Sequence, residues 1–266
     1  MKKGFTVIEL LVVVAVIGLL SSVVLVQTRD VRDRARIKRG LQFGREVQGI
    51  VGMETIGEWK LENNLKDSSN DNNGVYVPAG TPSYINGADV ETGKALELDG
   101  SAYVRIPDSS DLGPRPDMSV TIDMFLKPSS FSGYPIILLR EPHYYLYLNS
   151  GRLHFDIETY TCYCQLEAPN SLPLGKWSHI SVSYIPKSGD RNPADDTMKM
   201  FIDGVEVASK NTCPCAGTYL SDYTEPLYIG GCPSCSNNFI GAVDNVRVYN
   251  ENIELIKIRE EDMYHE

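Results

Sequence analysis

The sequence lacks the short motifs that mark the common nucleotide-dependent and metal-dependent enzymes. It contains no P-loop, no glycine fingerprint of a dinucleotide-binding fold, no HExxH pair and no Ser/His/Asp hydrolase signature. Proline is absent from residues 1–57, and cysteine is absent before Cys162. The first absence permits one long helix at the start of the chain, and the second confines any disulfide framework to the later part.

Charge is distributed unevenly along the 266 residues, whose formal net charge is −10. Residues 1–56 hold nine Lys and Arg against five Asp and Glu, a balance of +4, so residues 57–266 hold 16 against 30, a balance of −14. The basic residues concentrate at Arg29, Arg32, Arg34, Arg36, Lys38 and Arg39. A solvated helix face that also meets anionic lipid headgroups accounts for them. The acidic remainder argues against nucleic acid as a partner.

An apolar run extends from Phe5 to Val26 and is interrupted by Glu9. A run of about twenty apolar residues is long enough to cross a bilayer as a helix. The basic residues Lys2 and Lys3 predict that the short N-terminus stays on the cytoplasmic side of the inner membrane. An ionisable group inside a membrane span is costly and usually has a partner, so Glu9 is predicted to have one.

The string GFTVIELLVVVAVIGLL, from Gly4 to Leu20, resembles the start of a type IV pilin or of a type II secretion pseudopilin. The resemblance implies that a prepilin peptidase cuts between Gly4 and Phe5 and methylates the new amine. It also implies that Glu9 neutralises the Phe5 amine of a neighbouring subunit, because a charge pair in an apolar bundle costs less than either charge alone. The alternative is an uncleaved signal anchor in which Glu9 is accidental.

The helix is predicted to continue to about Gly57, because no proline interrupts it. Four apolar residues of its second half recur at helical spacing: Phe43, Val47, Ile50 and Val51. This stripe is predicted to dock the helix on the following domain or on neighbouring subunits.

From Glu58 onward the apolar residues alternate with period two, and turn residues recur at short intervals. Short alternating strands in a domain of this size predict an antiparallel β-sandwich. The alternating segments are 95–100, 103–107, 119–126, 180–184, 199–207 and 243–249.

Segments between Gly57 and Tyr249 resemble the concanavalin A-like, laminin-G-like jelly-roll lectin domain. The resemblance is carried by WKLE at 59–62, DSSNDNNG at 67–74, ALELDGSAYV at 95–104, GKWSHISVSY at 175–184, MFIDGV at 200–205, LYIGG at 227–231 and FIGAVDNVRVY at 239–249. The cysteine pairs depart from the pattern and are expected in loops between the shared strands.

The predicted fold is therefore mainly β: a long pilin-like helix, transmembrane before assembly, followed by an antiparallel jelly-roll sandwich. The predicted divisions are a leader at 1–4, the helix at 5–56, the sandwich at 57–250 and a short closing helix at 251–266. The C-terminal part looks amphipathic between Ile253 and Tyr264.

The six cysteines are Cys162, Cys164, Cys213, Cys215, Cys232 and Cys235. An even count in a domain expected outside the cytoplasm predicts three disulfides, and the sequence leaves their pairing open. Residues at i and i+2 rarely bridge each other, so the first two pairs are expected to bond to other clusters. The alternative is a zinc site that uses the CxxC spacing of Cys232 and Cys235 with another pair.

Alternation on either side of Ser150–Gly151 predicts a β-hairpin with a two-residue turn. Its core-facing residues are Leu146, Leu148, Leu153, Phe155 and Ile157. The opposite face then carries three cross-strand pairs: Tyr147 with His154, Tyr145 with Asp156, and His143 with Glu158. Aromatic rings beside hydrogen-bonding side chains suit sugars, and the lectin resemblance implies a ligand site on such a sheet or on the loops at its rim. The alternative is an edge or helix-covered face on which these residues are ordinary cross-strand pairs without a ligand.

Some glycosidases that resemble this fold carry a Glu-x-Asp-x-Glu motif on one strand. The segment 154–158 is the matching position in this sequence. His154 stands at the first place, so one carboxylate of the pair that a retaining mechanism needs is missing. The chain is therefore predicted not to be an enzyme.

Structural calcium is the predicted cofactor, because Asp and Asn oxygens suit this cation. The predicted ligands are Asp67, Asn70, Asp71, Asn73 and Asp244. The alternative is an Asn/Asp-rich turn without a metal.

Together these patterns predict a pilin-like filament subunit at the pilus or cell surface, with a lectin-like head for adhesion. Its predicted partners are copies of itself or other pilins, the prepilin peptidase, the inner membrane and glycans. The alternatives are a periplasmic pseudopilin that binds exported cargo, and a purely structural filament subunit.

Overall fold

The structure is a computed structural model that describes residues 6–51, 55–88, 93–109, 112, 119–141, 143–158, 163–186, 196–213 and 225–250. Within these ranges, side chains are described except at 22–30 and 50–51. One helix, α1 (Val7–Val51), precedes the strands. The strands are β1 (Thr55–Trp59), β2 (Val75–Val77), β3 (Ser83–Asn86), β4 (Lys94–Asp99), β5 (Tyr103–Ile106), β6 (Val120–Pro128), β7 (Ile136–Arg140), β8 (Tyr144–Asn149), β9 (Arg152–Glu158), β10 (Tyr163–Ser171), β11 (Ser178–Ile185), β12 (Thr197–Ile202), β13 (Val205–Lys210), β14 (Leu227–Ile229) and β15 (Ile240–Tyr249).

The strands form two antiparallel sheets that pack face to face as a β-sandwich. The eight-stranded sheet has the order β13-β12-β11-β6-β15-β4-β3, with β1 also paired to β15. The seven-stranded sheet has the order β10-β9-β8-β7-β14-β5-β2. We call the first the stem sheet, because α1 packs on it, and the second the distal sheet. The mainly β fold with a long leading helix is confirmed.

The core between the sheets is filled by the inward-facing residues of both. Trp59, Phe155, Leu146, Ile180 and Phe239 belong to one continuous apolar cluster and are fully buried. Burial of this kind contributes roughly 25 cal/mol for each Å² of apolar surface removed from water. The alternation that predicts the strands therefore also identifies the core.

The second half of α1 docks on the outer face of the stem sheet. Phe43 stacks on Phe201 with ring centroids 5.1 Å apart, and Val47 is fully buried in the same small cluster as Tyr249. Arg36 Nη2 donates to the Trp177 carbonyl oxygen at 2.7 Å. The docking stripe is therefore confirmed at Phe43 and Val47, whereas the side chains of residues 50 and 51 lie outside the described set.

Helix α1 begins with a reciprocal capping arrangement that the sequence reading did not identify. The backbone N–H and Oγ1 of Thr6 each donate to Glu9 Oε2 at 2.8 Å, and Glu9 N–H donates to Thr6 Oγ1 at 3.3 Å. This is the capping box that Ser/Thr-x-x-Glu sequences form at helix starts. Apolar side chains that follow, from Val7 to Leu20, are exposed.

The end of the helix differs from the predicted boundary at 56. Helix α1 ends at Val51, and Thr55 already pairs with Tyr249 as the first residue of β1. The β-branched residues Thr55 and Ile56 favour a strand, and pairing with β15 decides their conformation. The predicted closing helix at 251–266 lies outside the described residues.

The sequence predicts a bilayer-spanning helix from Phe5 to Val26. Within the part of the chain that the structure describes, no helix has the length and apolar character needed to cross a membrane.

Candidate functional site

The β8–β9 hairpin has the predicted register. Ser150 and Gly151 form its turn with φ values of 52° and 81°, the left-handed conformation that a two-residue hairpin turn of type I′ requires. The three predicted pairs are present: Tyr147 lies opposite His154, Tyr145 lies opposite Asp156, and the backbone N–H of Glu158 donates to the His143 carbonyl at 3.0 Å. The five predicted core residues are buried.

A hydrogen-bonded cluster links three strands on the outer face of the distal sheet. Gln165 Nε2 donates to Tyr147 Oη at 2.8 Å and to Asp156 Oδ2 at 3.2 Å. Tyr147 Oη donates to the same Asp156 oxygen at 3.2 Å. Tyr145 Oη donates to Glu158 Oε2 in a short hydrogen bond. These contacts fix the orientation of both tyrosine rings, so the face is preorganised.

His154 and Asp156 are more buried than a solvated outer face would require. Their exposed fractions are 3% and 7%. Among the described residues, neither ring nitrogen of His154 nor Oδ1 of Asp156 has a hydrogen-bond partner. The Tyr147 ring stacks on His154 with centroids 4.9 Å apart. Buried polar atoms without partners are costly, so these atoms are candidates to receive a ligand after a local rearrangement.

Burial also changes the ionisation of this cluster. It raises the pKa of Asp156 to about 6, against hydrogen bonds from Gln165 and Tyr147 that lower it. It lowers the pKa of His154, with the nearby Glu167 acting in the opposite direction. Burial raises the pKa of Tyr147, and the Asp156 charge adds to that shift. At neutral pH the face therefore presents a partly desolvated carboxylate beside a neutral imidazole and neutral phenols.

The same face extends across the distal sheet through paired residues that the sequence reading missed. A single row of partners crosses six strands from β10 to β5 and runs Gln165, Asp156, Tyr145, Leu139, Tyr228, Arg105. Tyr228 forms an edge-to-face pair with Tyr103, with ring centroids 5.8 Å apart and planes at 72°. At the opposite end, Tyr163 packs edge-on against Tyr145.

The sequence signal for these additional residues is weak. Alternation places Tyr103 and Arg105 on the outer side of β5, but the pairing of β5 with β14 joins residues more than a hundred positions apart. Gln165 was missed because the nearby cysteines favour a loop. The structure corrects that expectation, since Cys164 lies within strand β10.

The loop predicted to bind calcium uses its oxygen atoms internally. Asp67 Oδ1 accepts hydrogen bonds from Glu58 N and Ser69 N, both at 2.9 Å, and Oδ2 accepts from Asn72 N at 3.2 Å. Asn73 Oδ1 accepts from Asp67 N at 3.1 Å. These donors lower the pKa of Asp67 against the opposing effect of its burial. Oxygen atoms that accept N–H groups are not free to face a cation, so these two residues do not fit a calcium cage as placed.

The other predicted calcium ligands do not complete a cage. Asn70 Nδ2 donates to the Thr55 and Ile56 carbonyls at 3.1 and 2.9 Å. Asp244 lies on β15, where Oδ2 accepts the Ala88 N–H at 2.8 Å. Across the described ranges, no three His, Cys, Asp or Glu side chains form a group that could hold a metal ion. Calcium, including a role for Asp71, stays a prediction.

Two of the predicted disulfides are described. Cys164 bonds to Cys213 and joins two of the predicted clusters, whereas Cys232 bonds to Cys235 within its own CxxC segment. The zinc alternative requires free thiolates at Cys232 and Cys235, so this disulfide contradicts it. Cys162 and Cys215 lie outside the described residues, as do the processing positions Gly4 and Phe5.

Two family models match the chain. The model described as the concanavalin A-like lectin/glucanases superfamily matches residues 98–258. The model described as the prokaryotic N-terminal methylation motif matches residues 1–25. The two matches fall on the two parts that the sequence reading distinguished.

Curated relatives include fimbrial proteins. One from Neisseria meningitidis serogroup A is 33% identical over 81 residues, which cover 29% of this chain and 48% of that protein. The fimbrial protein EcpC of Eikenella corrodens is 28% identical over 137 residues, which cover 48% of this chain and 90% of that protein. The chain thus spans about half the length of the Neisseria relative and most of the Eikenella one.

Solved structures share the fold at low sequence identity. Domain 4 of an extracellular arabinanase from Geobacillus stearothermophilus, solved in complex with arabinotriose, matches with a TM-score of 0.55 and 19% identity, over 74% of this chain and 92% of that one. The binding domain of Paraclostridial Mosquitocidal Protein 1 matches with a TM-score of 0.60 and 12% identity, over 78% and 52% of the two chains.

Proposed function

The chain belongs to the concanavalin A-like lectin/glucanases superfamily, and from this premise we propose that it is a pilus subunit whose sandwich recognises carbohydrate at the cell surface. The observation that carries the proposal is the outer face of the β8–β9 hairpin. There Tyr145 and Tyr147 are held by hydrogen bonds beside His154 Nδ1 and Asp156 Oδ1, two buried atoms that have no hydrogen-bond partner among the described residues. Aromatic rings offer apolar faces to sugar C–H groups, and the polar atoms offer hydrogen bonds to hydroxyls.

The subunit part of the proposal rests on the N-terminal segment. The methylation motif matches residues 1–25, and fimbrial proteins are among the relatives. The exposed apolar side chains between Val7 and Leu20 offer a surface for other subunits. Cleavage between Gly4 and Phe5 and pairing of Glu9 with the Phe5 amine of a neighbour complete the proposed assembly. The relatives are fimbrial proteins, and we propose no catalytic activity for the chain.

Glycan recognition is tested with the purified full-length chain on an array of neutral and acidic oligosaccharides. We expect selective binding, which Tyr147→Ala reduces about tenfold or more, because the ring and its hydrogen-bonded partners are lost together. Tyr134→Ala is the matched control, since Tyr134 is 58% exposed and lies outside the hairpin. A folded chain that binds no glycan would contradict the proposal and favour a purely structural subunit.

The role of Glu9 is tested by two substitutions that separate charge from capping. Glu9→Gln keeps an oxygen that can accept from Thr6 but removes the charge, whereas Thr6→Ala weakens the cap and keeps the charge. We expect Glu9→Gln to abolish incorporation into filaments and Thr6→Ala to leave it largely intact, as measured by the yield of sheared filaments. The reverse pattern would mean that Glu9 acts only as a helix cap.

A further inference from the structure

The distal sheet carries a second aromatic group on the same face as the hairpin. Tyr228 lies on β14, directly opposite Arg105 on β5 and Leu139 on β7, and its ring packs edge-on against Tyr103. Leu139 in turn lies opposite Tyr145. The two aromatic groups therefore belong to one row of residues rather than to separate surfaces.

The row is long compared with a single sugar ring. Neighbouring strands lie about 4.8 Å apart, so Tyr228 and Tyr145, two strands apart, are separated by roughly 10 Å, and the row from Gln165 to Arg105 spans about 24 Å. A ligand that contacts both aromatic groups must be extended and must run perpendicular to the strands.

The two ends of the row carry opposite charge. Arg105 makes no ion pair with any residue that the structure describes. At the other end, Asp156 and Glu158 lie on β9, and Glu167 lies opposite His154 on β10. Two cations lie among these three carboxylates, because Arg152 pairs with Glu167 and Lys210 Nζ donates to the Gln165 carbonyl, so this end has an excess of one negative charge. An unpaired guanidinium presents a planar fork that matches a carboxylate. An anionic group on the ligand is therefore favoured near Arg105 and disfavoured near the hairpin.

Building on the proposed glycan recognition, we propose that the ligand is a linear oligosaccharide carrying a carboxylate, laid across the strands of the distal sheet. Its acidic sugar pairs with Arg105 and packs on Tyr228. The following sugars pass over Leu139, which is only 2% exposed, and reach Tyr145 and Tyr147. Charge complementarity fixes the direction of the chain, because the acidic residues of β9 and β10 repel a second carboxylate at the hairpin end.

The test measures binding of the full-length chain to linear oligosaccharides of two to eight sugars that are neutral except for one terminal uronic acid, each beside its carboxyl-reduced form, and to oligogalacturonate chains of the same lengths. We expect affinity to rise with length, until both aromatic groups are spanned, for chains that carry a single uronic acid at one end, and to rise less for chains that are acidic throughout. We expect carboxyl reduction, Arg105→Gln and Arg105→Lys each to weaken binding of the long chains roughly tenfold. The lysine variant keeps the charge and loses the planar fork.

The controls separate this inference from the proposed function. Arg34→Gln, on the exposed surface of α1, should change nothing, and Tyr228→Ala should weaken long chains while sparing neutral sugars that reach only the hairpin. Binding that depends on Tyr147 but not on length, carboxylate or Arg105 would overturn the inference and leave the proposed function intact. Absence of binding to every glycan would overturn both.

Discussion

The two sheets of the sandwich each bury a histidine and an aspartate on their outer faces, with opposite outcomes. On the stem sheet, His179 Nε2 lies 2.9 Å from Asp123 Oδ2, both side chains are fully buried, and Arg247 Nη1 lies 3.6 Å from Asp123. On the distal sheet, His154 Nε2 lies 3.7 Å from Glu167 Oε1, whereas Oδ1 of the buried Asp156 has neither a hydrogen bond nor an ion pair with any described residue. Similar side chains thus serve attachment of the helix on one sheet and leave hydrogen-bonding capacity for a ligand on the other.

Small residues in α1 make the attachment possible. A Cβ atom at Gly40 would overlap the His179 side chain, and one at Gly44 would lie 3.1 Å from His179 Nε2. The helix therefore approaches the sheet closely enough to seal the polar cluster from water. On the hairpin face, His154 and Asp156 are covered by side chains of the sheet itself, Tyr147 and Gln165, rather than by a helix.

The largest effect is expected from breaking the polar cluster of the stem sheet. Arg247 also contacts Glu58, with Nε donating to Oε1 at 2.8 Å. Arg247→Met should lower the free energy of unfolding by roughly 3–5 kcal/mol, because two buried carboxylates lose a cation. Urea denaturation of the full-length chain measures the change.

The matched variant on the distal sheet is Arg152→Met. Arg152 pairs with Glu167, but its side chain is 43% exposed, so the loss should be below about 1 kcal/mol. Equal losses for the two arginines would contradict the contrast between a sealed and an open face.

A smaller, pH-dependent effect is expected at Asp156. Burial raises its folded-state pKa to about 6 from the ordinary value of 3.8, so between these values the folded state binds more protons than the unfolded state. The free energy of unfolding therefore falls as pH rises through this window. Asp156→Asn removes the cost of ionising this buried carboxyl. The free energy of unfolding of the variant, relative to that of the parent chain, should therefore rise between pH 4 and pH 7 by up to roughly 3 kcal/mol.

Asp99→Asn should show the opposite dependence of stability on pH. Hydrogen bonds from Ser101 lower the pKa of this exposed carboxyl, so its contribution to stability is present at neutral pH and is lost as pH falls. Thermal melts from pH 3 to pH 7 compare the two variants. The same pH trend in both would show that burial does not control Asp156.

The last comparison concerns the helix glycines. Gly40→Ala should destabilise the chain by about 1–3 kcal/mol, because the new methyl group displaces His179. Gly49→Ala meets nothing within 4 Å and should stabilise the helix by roughly 0.5–1 kcal/mol. Protection of helix amides from hydrogen exchange measures both, and loss of protection at Gly49→Ala would refute the packing argument.

The hairpin and most strands could be predicted from the sequence because their determinants are local. The Ser150–Gly151 turn fixes the pairing of β8 with β9, and alternation assigns each side chain to a face. The capping role of Glu9 depends on equally local contacts, because Thr6 and Glu9 have the spacing of a capping box.

The rest depends on contacts between distant parts of the chain. Nothing near Arg105 specifies that β5 pairs with β14, and nothing in α1 specifies that Gly40 meets His179. The early end of the helix likewise depends on pairing of Thr55 with Tyr249. The bond between Cys232 and Cys235 occurs in three of the fifteen sets of pairings that six cysteines allow, so the sequence alone does not select it.

Docking of α1 on the stem sheet determines which face of the sandwich points away from the helix. The two sheets of a sandwich pack about 10 Å apart, so the hairpin face lies on the far side of the head from the helix. In a polymer built around that helix, every copy turns the same face outward. If that face binds glycan as proposed, many weak contacts on one fibre act with a high effective concentration, and avidity rather than single-site affinity sets the strength of attachment.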